Sequence, residues 1–290
     1  MRVRSTAVTA SVRWTPAGRP TTDALRPGHR YRRLAGSAGV DSAREVGVDG
    51  ANARPREWPP NGFLGRLPEE TRQVLLGRGS PVRFEPGERL LTEGATTSHV
   101  VLLTGGLVKV TSLAETCEAL LAVRTAGDIV GETAALAERP RRMATVTACG
   151  VVTGRLLTAE AFRHILTRHP EAARLVTTIV AERLRWANRR RTDFLAYPAE
   201  VRLARALIEI ATRYGTRAGD GGVDIGLSLS QPELATLVGV APATVHKALR
   251  ALREAGVLRW KYRQITIADP TALARVAQHA GPTTGDEPAT

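Results

Sequence analysis

Cysteine is scarce in this chain. Only Cys117 and Cys149 occur in 290 residues, too few for a disulfide framework or for an iron–sulfur cluster held by four thiolates. Both are expected as small core residues, and a reduced, cytoplasmic setting fits them. Lysine is almost as rare. Lys109, Lys247 and Lys261 are the only three, so nearly all of the 41 basic residues are arginine. Such a bias also follows from a GC-rich genome, so the net charge of +13 says less than where the charge lies. No apolar run approaches the roughly 18–20 residues that a membrane-spanning helix needs, and no membrane partner is expected. The N-terminal arginines lead into no apolar segment, so a secretory signal is not expected. P-loop, Rossmann fingerprint, Ser–His–Asp order and metal-ligand spacing are all missing, which argues against an enzyme. His99, His164 and His169 are scattered and are expected to be structural or solvent-facing.

What is present is concentrated in one stretch, Ser230 to Val257. Ser230 with Glu233 three residues on forms a capping box. Leu234, Leu237 and Val238 then share a helical face, and Gly239 ends the helix. Pro242 suits the first turn of a second helix, whose apolar stripe is Val245, Ala248, Leu249 and Leu252. His246, Lys247, Arg250 and Arg253 lie off that stripe. Leu258 to Ile267 reads as a short basic β-hairpin, a wing. Six Lys/Arg face two acids between Ser228 and Ile267. Helix, glycine turn, basic helix and basic wing form a winged helix-turn-helix with the electrostatic footprint of a DNA-binding domain.

The rest of the chain divides by pattern. Residues 1–58 carry eleven Arg against five acids, show no sustained period and read as a disordered basic tail. That tail is either a DNA-touching arm, an inert extension, or upstream sequence translated from a start codon assigned too early. Phe63–Leu76 reads as a short amphipathic helix. From Val82 to Leu157, short β segments alternate with glycine turns such as Gly105-Gly106, the pattern of an all-β sandwich or roll. Thr158–His169 is helical again. A long helix then runs from Glu171 to about Leu195, with Val176, Val180, Leu184, Ala187 and Phe194 in a heptad-like seam and Arg191 in the remaining slot. So narrow a seam suits a two-fold homodimer. Pro198 marks a hinge. Val201–Tyr214 is a helix, Gly215–Gly222 a glycine-rich loop, and residues 280–290 a frayed tail.

A β-roll, a long dimer helix and a C-terminal winged helix-turn-helix together resemble the Crp–Fnr family of bacterial transcription regulators, of the cyclic-AMP receptor protein type. F-L-G-R-L-P, F-E-P-G-E, G-G-L-V-K-V, G-D-I-V-G-E-T-A and R-M-A-T-V-T-A carry the resemblance over residues 63–271. It implies an α+β architecture: a cyclic-nucleotide-binding β-roll over 63–170, a dimerisation helix over 171–196 and a DNA-binding domain over 199–271. It further implies control by an effector in the roll, double-stranded DNA with a palindromic operator as partner, and RNA polymerase as a further one.

By match to the family's cassette, Gly131 offers backbone N–H, Glu132 the ribose contact and Arg142 the phosphate clamp, with Thr133 and Ala144 adjoining them. A cyclic phosphate needs such a guanidinium together with free N–H groups and a hydroxyl. Met143 departs from the pattern, because the family's cyclic-AMP binders place Ser or Thr there. Losing that hydrogen bond should cost about 1.5–3 kcal/mol. On the dimer helix the base-contacting positions are Ala187 and Asn188, and only Asn188 can pair with a base edge. Cyclic AMP, another nucleotide-like effector and no effector at all remain open. For DNA, the reading positions match Pro242, Ala243 and Lys247. Thr244, His246 and Arg250 lie beside them, Ser230 and Gln231 at the start of the first helix, and Lys261 and Arg263 in the wing. The operator bases should therefore differ from those that the cyclic-AMP receptor reads. The alternative function keeps the fold but binds DNA constitutively.

Overall fold

The computed structural model describes residues 58–114, 117–219, 221–261 and 264–278. The two tails, Trp58 apart, and Arg263 lie outside them. The first helix, α1, spans Glu69–Arg78 rather than the expected Phe63–Leu76. Pro68 explains the shift, since the residue before a proline is steered out of the helical region. Phe63, Leu64 and Leu67 instead form a turn that plugs the core, at 0, 0 and 4% exposure.

Eight strands follow: β1 Ser80–Phe84, β2 Arg89–Leu91, β3 Val100–Gly105, β4 Leu107–Ala114, β5 Cys117–Thr125, β6 Ile129–Val130, then, after the short helix α2 Glu132–Leu136, β7 Thr145–Ala148 and β8 Val152–Leu157. They form two antiparallel sheets, ordered β1-β8-β3-β6 and β2-β7-β4-β5. In β3 the run Val100–Leu103 is buried on both faces. Val100 and Leu102 join the helical layer, which leaves Val101 and Leu103 for the interior of the roll. A register shift in the β4–β5 pair, between Val110 and Thr111, leaves Leu121 as the extra residue of a bulge. Contrary to expectation, Cys117 and Cys149 are both exposed. They sit at a strand end and just past one, where the sheet runs out into solvent.

Helix α3, Ala159–Arg168, is capped by the Thr158 hydroxyl, which accepts from the Ala161 N–H. The long helix α4 spans Pro170–Ala196. Its first half buries Ala172, Leu175, Val176 and Ile179 against the roll. Val176, expected on the seam, is thus 2% exposed inside its own chain, whereas Val180 and Leu184 are 38 and 61% exposed. Phe194 also leaves the seam, since its ring packs against Gly239. Leu195, 91% exposed, stands in its place. The free apolar stripe is therefore Val180, Leu184, Ala187 and Leu195.

Pro198 opens α5, Ala199–Tyr214. The glycine-rich segment beyond it is not a plain loop. It forms a hairpin, β9 Thr216–Arg217 and β10 Val223–Asp224. Helices α6, Gln231–Val238, and α7, Pro242–Glu254, carry the capping box at Ser230 and a left-handed Gly239. The wing, β11 Leu258–Lys261 and β12 Gln264–Ile267, extends the β9–β10 hairpin into one sheet ordered β11-β12-β10-β9. Helix α8, Pro270–Gln278, carries the domain past the expected boundary at 271 and covers α5 with Leu273. Leu203, Leu207 and Leu249, all 0% exposed, centre this domain's core. Truncating any one of them to alanine should cost about 2–5 kcal/mol. Leu120 and Val123 of β5 belong to the same core, so the roll and the DNA-binding domain are packed together.

Candidate effector cavity and DNA-facing helix

Between the roll and α4 lies a cavity of about 440 Å³, a size suited to a small-molecule ligand. Gly131, Glu132, Thr133, Arg142, Met143 and Ala144 all line it. Gly131 sits at φ +88°, and a Cβ there would fall 2.6 Å from an Arg142 guanidinium nitrogen. Only glycine admits this approach of strand end to arginine. Asn188 is exposed and lies off the cavity of its own chain, whereas Ala187 lines it.

Arg142 is 3% exposed and already engaged. Its Nε donates to Thr97 Oγ1 at 3.0 Å, and its terminal nitrogens donate to the carbonyls of Gly131 at 3.1 Å and His99 at 2.7 Å. Burial pulls the His99 imidazole down to about 4. The Arg142 charge adds to this, and a hydrogen bond with the Leu90 backbone opposes it. Met143, 72% exposed, brings no donor.

Arg183 was not among the expected site residues. It donates to Glu132 Oε1 at 2.6 Å and to the Ile129 carbonyl at 2.8 Å, which ties the cassette to α4. The Glu132 side chain is only 5% exposed. Burial draws the Arg183 guanidinium below its usual range, and neighbouring Arg124 adds to this, while Glu132 and Asp128 oppose it. The signal was present in the sequence. Val176 and Ile179 set the stripe that buries α4, and Arg183 continues it. A charged residue in a buried stripe requires a partner. Beyond these groups the wall is apolar, including Leu91, Val110, Leu121, Val146, Val180 and Leu184.

On the DNA-binding side, Pro242, Ala243, Thr244, His246, Lys247 and Arg250 are all exposed along α7, and Lys261 is exposed on the wing. Arg250 pairs with Glu254 at 2.7 Å, and the His246 ring meets Trp260 edge-on at 5.9 Å. Ser230 and Gln231 are only half-buried, but the Ser230 hydroxyl is committed to Glu233, donating to Oε2 at 2.8 Å and accepting from its N–H at 3.4 Å. The start of α6 also touches the roll. Lys109 of β4 donates to the Ser228 carbonyl at 2.9 Å and to Glu233 Oε1 at 2.6 Å. Thr236 accepts from the Leu120 N–H at 3.0 Å, and Tyr214 donates to the Val123 carbonyl at 2.5 Å. The bulged Leu121 carbonyl accepts from Arg190 of α4 at 3.0 Å. Strand β5 therefore touches the cavity on one side, and α4 and α6 on the other. Among the described residues no cluster of three or more metal-ligating side chains occurs, and no helix is long and apolar enough to cross a membrane.

Two family models match. Residues 81–169 match the cyclic nucleotide-binding domain, and residues 201–276 match the Crp-like helix-turn-helix domain. A CRP-like cAMP-activated global transcriptional regulator of Mycobacterium tuberculosis is 30% identical over 208 residues, which span 71% of this chain and 91% of that protein. Among solved structures, FixK2 from Bradyrhizobium japonicum aligns with a TM-score of 0.60 at 21% identity, over 70% of this chain and 99% of the other. The c-di-GMP responsive global regulator CLP of Xanthomonas campestris aligns at 0.61 and 17% identity, over 70% and 100%. At these identities the solved structures speak to the fold alone.

Proposed function

Because the chain belongs to the Crp–Fnr family of transcription regulators, we propose that it is a homodimer whose α4 cavity receives the effector and whose α7 reads a palindromic operator. The protein is a DNA-binding transcription regulator under effector control. The observation that carries the finer reading is the Glu132–Arg183 pair. It joins the β6–α2 cassette to α4, the helix that leads into the hinge at Pro198. A cyclic nucleotide entering the cavity takes its ribose contact from Glu132 and its phosphate contact from Arg142. It must therefore displace Arg183 from the first, and the carbonyls of Gly131 and His99 from the second. That exchange shifts α4 and, through the hinge, the recognition helices.

Dimer formation rests on the solvent-facing stripe Val180, Leu184, Ala187 and Leu195. An isologous pair of such stripes buries all four residues. In the dimer, each α7 enters a major groove, with half-sites about one helical turn apart. Lys247 donates to a guanine edge as a point charge. Thr244 meets a thymine methyl, His246 and Arg250 reach a base or phosphate, and Lys261 contacts phosphate. RNA polymerase is the partner through which such a dimer acts. Catalysis has no part in this reading.

A second reading draws on the same ion pair. The Glu132–Arg183 bridge itself ties roll to helix, and such a bridge holds the dimer in one arrangement permanently. Selecting an operator from random duplexes and measuring its affinity by fluorescence anisotropy, with and without 1 mM cyclic AMP, cyclic GMP or AMP, separates the two. A change of tenfold or more with one nucleotide supports effector switching. Tight, sequence-specific binding that ignores all three supports the constitutive reading. A protein that retards no duplex specifically at about 0.1 M salt contradicts both.

A further inference from the structure

A second cavity, of about 510 Å³, lies between the C-terminal half of α4 and α5, and its wall carries Arg189, Arg190, Arg202, Arg205 and Arg213. Two carboxylates reach the same wall and each is taken, Asp193 by Arg205 at 2.8 Å and Glu209 by Arg213 at 3.5 Å. Arg189, Arg190 and Arg202 remain, none of them in an ion pair among the described residues. Arg190 and Arg202 donate instead to the backbone carbonyls of Leu121 and Gly239, at 3.0 and 3.2 Å. Both also lie over aromatic faces, Arg190 at 4.4 Å from the Trp186 ring centroid and Arg202 at 5.6 Å from Phe194. The wall therefore combines excess positive charge with a flat apolar floor.

Two further features point to a ligand. Trp186 Nε1 and Arg202 Nε are buried N–H donors with no hydrogen-bond partner, and both residues line this cavity. Buried donors in folded proteins are nearly always satisfied, so each such exception needs an explanation. The charge is also held at a cost. Burial draws Arg190 down to about 10 against the opposing pull of Glu209. At 100° per residue, Arg189 and Asp193 lie on the side of α4 turned away from Val180, Leu184 and Leu195, and Arg190 lies on its flank. A partner protomer seated on that stripe leaves the cavity open.

We propose that this cavity binds a nucleoside polyphosphate, with the base on the Trp186–Phe194 floor and the phosphates on Arg189, Arg190 and Arg202. Guanidinium groups bind phosphate oxygens through paired, charge-assisted hydrogen bonds, and a ligand acceptor reaches the two orphaned donors only once their side chains turn toward the cavity, since neither atom is solvent-accessible. Arg189 and Arg190 belong to α4, and Arg202 belongs to α5 beyond Pro198. A bound anion therefore bridges the hinge and fixes the DNA-binding domain against the long helix. The two cavities share Trp186 in their walls, but Arg189, Arg190 and Arg202 line only this one.

Calorimetry of the full chain with ATP, at about 0.15 M salt and without added metal, tests it. Saturable binding well below 1 mM is expected, with inorganic triphosphate at least tenfold weaker because it lacks a base. Arg189→Gln with Arg202→Gln, two of the three arginines placed on the phosphates, should weaken ATP binding at least tenfold. The charge-matched pair Arg174→Gln with Arg185→Gln, exposed on α4 away from the wall, should change it less than twofold. Excess cyclic AMP should not compete. Absence of binding at 1 mM ATP, equal loss in both double variants, or displacement by cyclic AMP would each overturn the assignment. Inorganic triphosphate binding as tightly as ATP would overturn the nucleoside part of it. Melting curves of both double variants separate lost binding from lost folding.

Discussion

Lys109 Nζ lies 2.6 Å from Glu233 Oε1, joining one of the three lysines of the chain to the residue that closes the capping box of the helix-turn-helix. The pair is largely shielded, with 16 and 24% of the two side chains exposed, so it holds the start of α6 against β4. Burial opposes ionisation of Glu233, but hydrogen bonds from Lys109 and Ser230 outweigh it and hold the carboxyl below its ordinary 4.5. The carboxylate's contribution is therefore complete above that value and is lost only as pH falls through the lowered one. Lys109→Met should reduce stability to urea by about 1–2 kcal/mol. It should also release the start of α6 from β4, so that ligand-free DNA affinity rises several-fold in an anisotropy titration. Affinity that stays level or falls would remove Lys109 from the coupling.

Arg183 and Glu132 should behave as one unit. Arg183→Met strands a buried carboxylate and should cost about 3 kcal/mol, and Glu132→Leu should cost a comparable amount by stranding the arginine. The double variant should recover much of the loss, giving a coupling of about 1–3 kcal/mol in urea unfolding. Additive costs would mean that the pair does not bind the cassette to α4.

The two lysines of the DNA-binding domain should separate by role. Lys247→Ala should weaken operator binding by about 1–3 kcal/mol and relax selectivity at one base pair per half-site. Lys261→Ala should weaken all duplexes alike and lower the salt slope by about one. Binding to selected and scrambled duplexes at several salt concentrations reads both effects.

Stability should fall on acidification through His99. Its pKa drops from 6.5 to about 4 on folding, so the unfolded chain binds the extra proton between those values. This contribution is whole above about 6.5 and is lost as pH falls toward 4, with a slope of at most about 1.4 kcal/mol per pH unit. His99→Gln should flatten that part of the curve in urea titrations, and an unchanged slope would contradict the assignment.

Leu195, 91% exposed, gives the cleanest test of the dimer face because it lines neither cavity. Leu195→Glu should place like charges together across a two-fold seam and weaken the dimer at least tenfold in sedimentation equilibrium. An unchanged association constant would move the interface elsewhere.

Much of this could be read in local patterns. Ser230, Glu233 and Gly239 mark the helix-turn-helix because capping and left-handed turns depend on near neighbours. The roll was legible in the strand spacing and glycine turns between Val82 and Leu157. What could not be read depends on distant partners. Val176 and Phe194 fit the heptad-like seam as well as Val180 and Leu184 do, and only the roll and Gly239 withdraw them from it. The apolar Phe63–Leu67 run resembles a helix until Pro68 and burial make it a plug. Arg142 reads as part of the cassette and lines the cavity beside Gly131, but its engagement with the carbonyls of Gly131 and His99 arises from chain segments far from it in sequence. Arg183 went unnoticed because its partner, Glu132, is distant in the chain.

The most direct test of the account is the affinity of the full-length protein for its selected operator, measured with and without 1 mM cyclic AMP and repeated with Arg183→Met. If a ligand acts by displacing Arg183 from Glu132, the nucleotide changes wild-type affinity at least tenfold. The variant, already released, then starts near the ligand-bound value and responds little. An identical operator affinity for wild type and variant, unmoved by nucleotide in either, would contradict that account of how the roll controls DNA binding.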